Sequence, residues 1–311
     1  MRLLITGARG FVGSTLAQRA AEKGVEVLGI GRTSQAPLDW PGGYVWADVA
    51  LSDLTPIVNG FQPDLVVHCA GSASVSGSLA APLDDLRAAV LTFANTLEAI
   101  RRSEVRPLLI FPSSAAVYGN PADLPIREDE PCRPISPYGF HKFAAEQLVQ
   151  EYVVCHKMRA MVCRIFSLIG QRQRRLLLWD VYQQFIGPAE EVTLQGTGRE
   201  TRDYLHIDDL CDIFLNLQRC GETELPSGSI INVASGIETT IDTLAQVVKE
   251  ILGSKKPVVF SRKPRLGDPS RWVADCSALD RIYPTRPGSK LAEGIERVIS
   301  KWQRSRVKSE G

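Results

Sequence analysis

The sequence predicts an α/β fold, a doubly wound parallel sheet of the Rossmann type with a smaller C-terminal lobe. Three observations carry that expectation. Short, almost wholly apolar runs alternate with longer amphipathic segments through the first half of the chain, the pattern of parallel strands covered on both faces by crossover helices. A glycine loop, Gly7-Ala8-Arg9-Gly10-Phe11-Val12-Gly13, joins the first apolar run to the first amphipathic one. After about Phe166 the alternation loosens, as a second lobe would make it do.

The first strand is expected at Arg2–Thr6, followed by a helix over 11–23 that Gly24 can end. Strands at Val25–Ile30 and Tyr44–Trp46 come next, then a helix over 55–60 opened by Thr55-Pro56. A strand at Leu65–Cys69 leads to a helix over 80–102 and a strand at Leu108–Phe111. Ser136-Pro137, an N-cap with Pro at the first helical position, opens a helix over 137–156, and a strand follows at Ala160–Phe166. Right-handed crossovers wind these units into one sheet. Beyond it, Arg172, Arg174 and Arg175 lead into a helix through Phe185 and a turn-rich segment. A helix near 208–220, a strand at Ile230–Val233, a helix near 241–252 and a loop over Arg262–Asp268 complete the pattern. Residues 1–166, with segments within about 201–235, are expected to form a dinucleotide-binding domain. Residues 167–200 and 236–303 form the second lobe, and the tail after Trp302 frays.

Composition narrows the function classes. Of 311 residues, 44% are hydrophobic and 23% charged, with a formal net charge of +1, which argues against nucleic-acid and membrane partners. Seven scattered cysteines without a Cys-x-x-Cys spacing argue against disulfides and a metal site. No apolar run reaches the roughly 18 residues of a membrane span, and the N-terminal run is too short for a secretory signal. A soluble, cytoplasmic protein is expected.

The glycine loop follows a strand and opens a helix, the context a dinucleotide site requires. Gly7 permits the tight turn, Gly10 lets backbone approach the pyrophosphate, and Gly13 lets helix pack on strand; the phosphates sit on the helix N-terminus. The second strand ends in Gly31-Arg32-Thr33 with no carboxylate. Arg32, with Arg9 in the neighbouring turn, suits a 2′-phosphate, so NADP(H) is expected ahead of NAD(H).

Tyr138 and Lys142 stand four apart on one helix face, and a neighbouring cation favours the phenolate, drawing the phenol toward a working range. Ser113-Ser114 lies just past an apolar strand, at the carboxyl edge where ligands bind.

With these pieces in this order, the chain resembles the extended short-chain dehydrogenase/reductase family, in its nucleotide-sugar epimerase/dehydratase group. The likeness runs from about residue 1 to residue 300, through Thr6–Gly13, Ala47–Val49, His68–Gly71, Ser113–Gly119, Tyr138–Lys142, Arg202–Leu210 and Arg265–Asp275. The resemblance implies that Tyr138 is the acid/base, that Ser114 holds the substrate oxygen, and that Lys142 binds the nicotinamide ribose. It implies that Asp48 and Val49 meet the adenine, that Ala70 lines the cofactor cleft, and that Phe11 and Val12 belong to the cofactor loop. Arg202, Tyr204, Arg265 and Asp268 match positions near the sugar nucleotide's diphosphate and ribose. Ser167 and Ala89 each stand where the family has Asn. His68, His206 and Asp208 read as structural, and His141 is given no catalytic role. A nucleotide-diphosphate sugar substrate and a homodimer through the 80–102 and 137–156 helices are also implied.

Departures from the family pattern select the reaction. Ala115-Ala116 replaces the acidic pair of sugar 4,6-dehydratases, and no Cys stands beside Ser114 for deprotonation next to a ketone. Hydride transfer at C4 remains. Because Gly31-Arg32 leans toward NADP, the leading expectation is NADPH-dependent reduction of a 4-keto-6-deoxy sugar nucleotide. The alternative is a 4-epimerase that retains NAD. A non-catalytic NADP-sensing protein is a third reading, and intact Ser114, Tyr138 and Lys142 argue against it.

Overall fold

The computed structural model describes residues 1–221, 223–263, 267–284 and 290–310, with side chains as far as Ser305. The apolar runs become β1 (Arg2–Thr6), β2 (Glu26–Gly31), β3 (Gly43–Trp46), β4 (Leu65–His68), β5 (Leu108–Ser114) and β6 (Ala160–Ile165). Between them lie α1 (Phe11–Glu22), α2 (Thr55–Phe61), α3 (Val75–Ala80), α4 (Pro82–Leu86), α5 (Thr92–Arg102) and α6 (Pro137–His156). The second half holds β7 (Ser167–Ile169), α7 (Leu177–Ile186), β8 (Val192–Leu194), β9 (Thr201–His206), α8 (Ile207–Leu217) and β10 (Ile230–Val233). It continues with β11 (Glu238–Thr240), α9 (Ile241–Ile251), β12 (Val258–Phe260), α10 (Ser277–Ile282) and α11 (Leu291–Glu310).

Seven strands form one sheet in the order β10-β6-β5-β4-β1-β2-β3, every neighbour parallel. Side chains alternate across it. Leu3, Ile5, Leu65 and Val67 face one way, onto Leu16 and Ala20 of α1 and Leu210 and Phe214 of α8. Leu4, Val66, Leu109 and Phe111 face the other, onto Val58 of α2, Phe93 and Leu97 of α5, and Ala145 and Val149 of α6. This is the doubly wound sheet expected. Strand order reverses between β1 and β4, where Thr6 lies opposite His68, and the crevice at that reversal is where such sheets bind ligands.

The expected single helix over 80–102 is broken. Ala81 adopts φ −140° and ψ 70°, the extended bias of a residue before proline, and Pro82 has no N–H to continue the α3 ladder. A short α4 and a wide π turn over Arg87–Leu91 then precede α5. β5 runs past Phe111 to Ser114, and α8 ends at Leu217. A separate core joins Leu178, Val181 and Phe185 of α7, Leu244 and Val248 of α9, and Ile295, Val298 and Trp302 of α11. Two small sheets, β11-β9-β7 and β12-β8, border it. The chain beyond Trp302 continues as helix through Glu310 where a frayed tail was expected. Among the described residues no helix is long and apolar enough to cross a membrane.

Candidate active site

At the β1–β4 crevice the chain turns at Gly7, whose φ is +70°. A Cβ there would lie 2.5 Å from the Cys69 carbonyl oxygen and 2.6 Å from the Ala70 nitrogen, so only glycine fits the turn and the contact together. Gly10 donates from its N–H to the Gly7 carbonyl at 2.9 Å, and a Cβ on Gly13 would come within 2.6 Å of the same oxygen. Helix α1 starts after Gly10 with no side-chain cap and no acidic residue in its first turn. Its N-terminus therefore faces the crevice with backbone donors and a positive dipole end, which suits a pyrophosphate. The residues present thus fit a dinucleotide.

The loops around the cradle are tied from several sides. The Thr6 hydroxyl accepts from the Ala70 N–H at 3.2 Å and lies 3.1 Å from His68 Nδ1, which also meets the Thr96 hydroxyl. Burial pulls the His68 imidazole down to about 3, in keeping with a structural histidine. Asp48 accepts from the Ala50 N–H through Oδ1, and the Val49 side chain is committed to the core beside α2. Asn95 donates to the Val49 and Ser52 carbonyls, a brace that the amphipathic pattern of its helix gave no reason to single out.

The expected 2′-phosphate corner is rearranged. The space beside Gly31 is filled by the Tyr44 hydroxyl, 2.4 Å from where a Cβ would stand. Tyr44 donates to the Thr33 carbonyl, and Arg9 Nη1 donates to Thr33 Oγ1 at 3.2 Å and to the Gln35 carbonyl at 3.3 Å. Arg9 therefore braces the loop after β2, while Arg32 stays exposed.

Ser114 ends β5 and caps a single 3₁₀ turn over Ala115–Val117, accepting from the Ala116 N–H at 3.2 Å. Helix α6 begins against that turn: a Cβ on Gly139 would lie 2.5 Å from the Ala116 carbonyl oxygen. Ser136 caps α6 through the Gly139 N–H, and Ser78 of α3 accepts from the Tyr138 N–H at 3.0 Å. This close start sets the Tyr138 phenol beside the Ser114 hydroxyl, which favours its ionised form. Burial nevertheless pushes the phenol up to about 12. The sequence expectation that Lys142 lowers the phenol is corrected here: burial dominates, and the neighbouring Ser114 hydroxyl is what opposes it. Lys142 Nζ donates to the Pro112 carbonyl at 2.8 Å, lies 5.9 Å from the Tyr138 ring centre, and is pulled down by burial to about 8.

Two buried acidic groups adjoin this pair. Glu146, one turn past Lys142, accepts from Ser113 at 2.5 Å and from Arg164 at 2.8 Å, joining β5, α6 and β6. Asp85 of α4 lies 2.6 Å from His141 Nδ1. Neither pairing was foreseen, since the partners are separated along the chain and share no local motif.

The small β7–β9 ladder gathers the proposed sugar-nucleotide residues. Ser167 lies opposite Tyr204, and Arg202 shares Tyr204's face two residues earlier. Arg202 Nη1 donates to the Thr201 and Pro269 carbonyls, and Nη2 lies 3.6 Å from Asp268 Oδ2. The Tyr204 hydroxyl is buried without a hydrogen-bond partner among the described residues, and burial raises its phenol. Arg265 lies outside the described residues.

A family model described as the NAD dependent epimerase/dehydratase family matches residues 3–234. A UDP-glucose 4-epimerase of Mycolicibacterium smegmatis is 30% identical, over 96% of this chain and 97% of that protein. A GDP-6-deoxy-D-mannose reductase of Pseudomonas aeruginosa is 28% identical over 99% of both chains. The crystal structure of a UDP-glucose 4-epimerase from Thermotoga maritima, with UDP-glucose, is similar at a TM-score of 0.88 and 25% identity, covering 98% of this chain and 99% of that one. The glycine cradle, the sheet and these likenesses agree: the chain belongs to the NAD dependent epimerase/dehydratase family of enzymes.

Proposed function

We propose that the protein is a nucleotide-sugar 4-epimerase that retains NAD and acts on a UDP-hexose. The carrying observation is that Ser114, Tyr138 and Lys142 come together at the carboxyl edge of the sheet, with Lys142 Nζ 5.9 Å from the Tyr138 ring centre. Two further points move the balance from the reductase to the epimerase. The 4-epimerases among its relatives include one at 30% identity and one of known structure, although a reductase is also a relative. Arg9 is engaged with Thr33 and Gln35 and Tyr44 fills the space at Gly31, which weakens the case for a 2′-phosphate pocket. Ala115-Ala116 supplies no acid–base pair for dehydration.

The dinucleotide would rest on the Gly7–Gly13 loop and α1, with Lys142 at its nicotinamide ribose, and when bound it would supply the acceptor and donor of hydride. Tyr138, entering as the phenolate, takes the proton of the sugar 4-hydroxyl as that carbon is oxidised and gives it back on reduction. Ser114 holds the same oxygen by a hydrogen bond, and Lys142 keeps positive charge beside the phenolate that begins and ends the cycle. Ser167 and Asp268 of the lobe formed by 167–200 and 236–303, with Arg202 and Tyr204 from β9 beside it, hold the nucleotide end. The exposed apolar residues Leu83, Leu91, Phe140 and Val154 on the α4–α5 and α6 faces form a homodimer interface.

The test is to denature the purified protein and identify what it releases. Stoichiometric NAD is expected. Protein that releases no dinucleotide, yet oxidises NADPH when given a 4-keto-6-deoxy sugar nucleotide, overturns the epimerase in favour of the reductase.

A further inference from the structure

Tyr138, Lys142 and Glu146 follow one another at four-residue spacing along one face of α6, and the end of β5 meets each of them. Tyr138 lies beside Ser114, Lys142 Nζ donates to the Pro112 carbonyl at 2.8 Å, and Glu146 Oε1 accepts from the Ser113 hydroxyl at 2.5 Å. The first two contacts involve the proposed reacting groups. The third involves none of them, and it lies in the interior: Glu146 is wholly buried, Ser113 and Arg164 nearly so.

Arg164 stands opposite Ser113 on β6 and closes on the same carboxylate. Its Nε lies 3.1 Å from Oε1 and its Nη2 2.8 Å from Oε2. The guanidinium is itself fixed, donating to the Glu128 carbonyl at 3.0 Å and to Cys132 Sγ at 3.2 Å, with the Tyr118 ring centre 4.7 Å away. Stability alone does not account for such a cluster, because apolar side chains of similar volume often replace a buried ion pair at no loss. What apolar packing lacks is direction. A forked guanidinium–carboxylate pair with a third hydrogen bond admits one arrangement of the elements that carry it. Since the guanidinium offsets the carboxylate, the cluster gives its neighbours a place rather than a field. Those neighbours are the residues either side of Ser113: Pro112, whose carbonyl holds Lys142, and Ser114, beside Tyr138.

We propose that Ser113, Glu146 and Arg164 are positioning residues for the acid–base step. They lock α6 against β5 and β6 in the register that sets Tyr138 and Lys142 at the end of β5, and they touch no reacting atom. The proposal rests on Ser114, Tyr138 and Lys142 being the reacting groups. Tyr138→Phe is therefore assayed first, and full activity in it would remove that foundation and the proposal with it.

The test uses two variants of the full-length protein, assayed for UDP-hexose interconversion. Ser113→Ala deletes the bond to β5 and leaves the ion pair whole. It is expected to lower kcat roughly 10–100-fold, with KM and the urea midpoint near wild type, and Ser113→Thr, which keeps the hydroxyl, to recover most of the loss. Glu146→Leu/Arg164→Met exchanges the ion pair for apolar side chains. It is expected to unfold in urea near the wild-type midpoint while kcat stays low, a split that a pair serving the fold alone does not give. If the double variant does not fold, Ser113→Ala decides. The crystal structure of Ser113→Ala reads position without turnover: the Lys142 Nζ–Pro112 oxygen separation, 2.8 Å in the wild type, is expected to open beyond about 3.5 Å. That readout stands even for a protein that interconverts no UDP-hexose, so failure of the assigned reaction is told apart from failure of the proposal. Wild-type kcat in either variant, or an unmoved Lys142–Pro112 contact in Ser113→Ala, overturns the proposal.

Discussion

Tyr138 and Lys142 are each pushed away from ionisation by burial, the phenol up to about 12 and the ammonium down to about 8. Such a pair resists ionisation in the empty site, so Tyr138 can accept a proton only once neighbouring positive charge has drawn off its own. Replacing Tyr138 by Phe removes the proton carrier and keeps the ring packing, so kcat is expected to fall about 10²–10⁴-fold. Circular dichroism and thermal unfolding should stay near wild type, and a variant that keeps most of its activity would count against the assignment. Lys142 gives a second signature. In the folded protein it releases its proton near 8, in the unfolded chain near the ordinary 10.5. Between those values the unfolded state binds more protons, so stability rises with pH. Wild type should therefore gain about 1–3 kcal/mol over Lys142→Met as pH rises through that window, measured by urea unfolding. Tyr138 works in the opposite sense above pH 10, where the unfolded phenol ionises first, so the comparison is cleanest below it. Parallel stability curves would show that Lys142 is not desolvated.

Helix α6 owes its placement to a close contact with the 3₁₀ turn after β5, and Gly139 is what allows it. Gly139→Ala puts a methyl group 2.5 Å from the Ala116 carbonyl oxygen, so α6 must back away and carry Tyr138 away from Ser114. A fall in kcat well beyond any loss of stability is expected; unchanged kinetics would mean that the contact does not set the site. The β1–loop–α1 unit and the Tyr138/Lys142 face were legible in the sequence because each is local, set by glycines or by helical spacing. The end of β5 was not. Pro112 reads as a strand breaker, yet β4 pairs with β5 only as far as Ile110, so at Pro112 no ladder bond on that side is lost. The strand continues beside β6 to Ser114, opposite Ile165. Strands of three residues such as β7, β8 and β11 are too short to show a period, so Ser167 falls in no readable element, while Arg202 of β9 falls in a stretch that reads only as turn-rich.

At the scale of the molecule, the site is assembled from pieces far apart in sequence. Cradle residues come from β1 and β4, the proposed reacting groups from β5 and α6, and sugar-nucleotide candidates from β7, β9 and the loop before α10. Pairings such as Asp85–His141, 56 residues apart, arise only when helices pack, which is why no local pattern announces them. The same packing leaves Leu83, Leu91 and Phe140 exposed on adjoining helices. Leu91→Glu with Phe140→Glu is expected to turn a dimer into a monomer in sedimentation velocity, whereas a wild-type protein that is already monomeric at micromolar concentration would refute the interface. The most direct test of the central claim is incubation of the purified protein with UDP-glucose and no added dinucleotide, following UDP-galactose by chromatography. Interconversion to the same equilibrium from either sugar, abolished by Tyr138→Phe, is the predicted result. Protein that interconverts no UDP-hexose, while consuming NADPH with a 4-keto-6-deoxy sugar nucleotide, would contradict it.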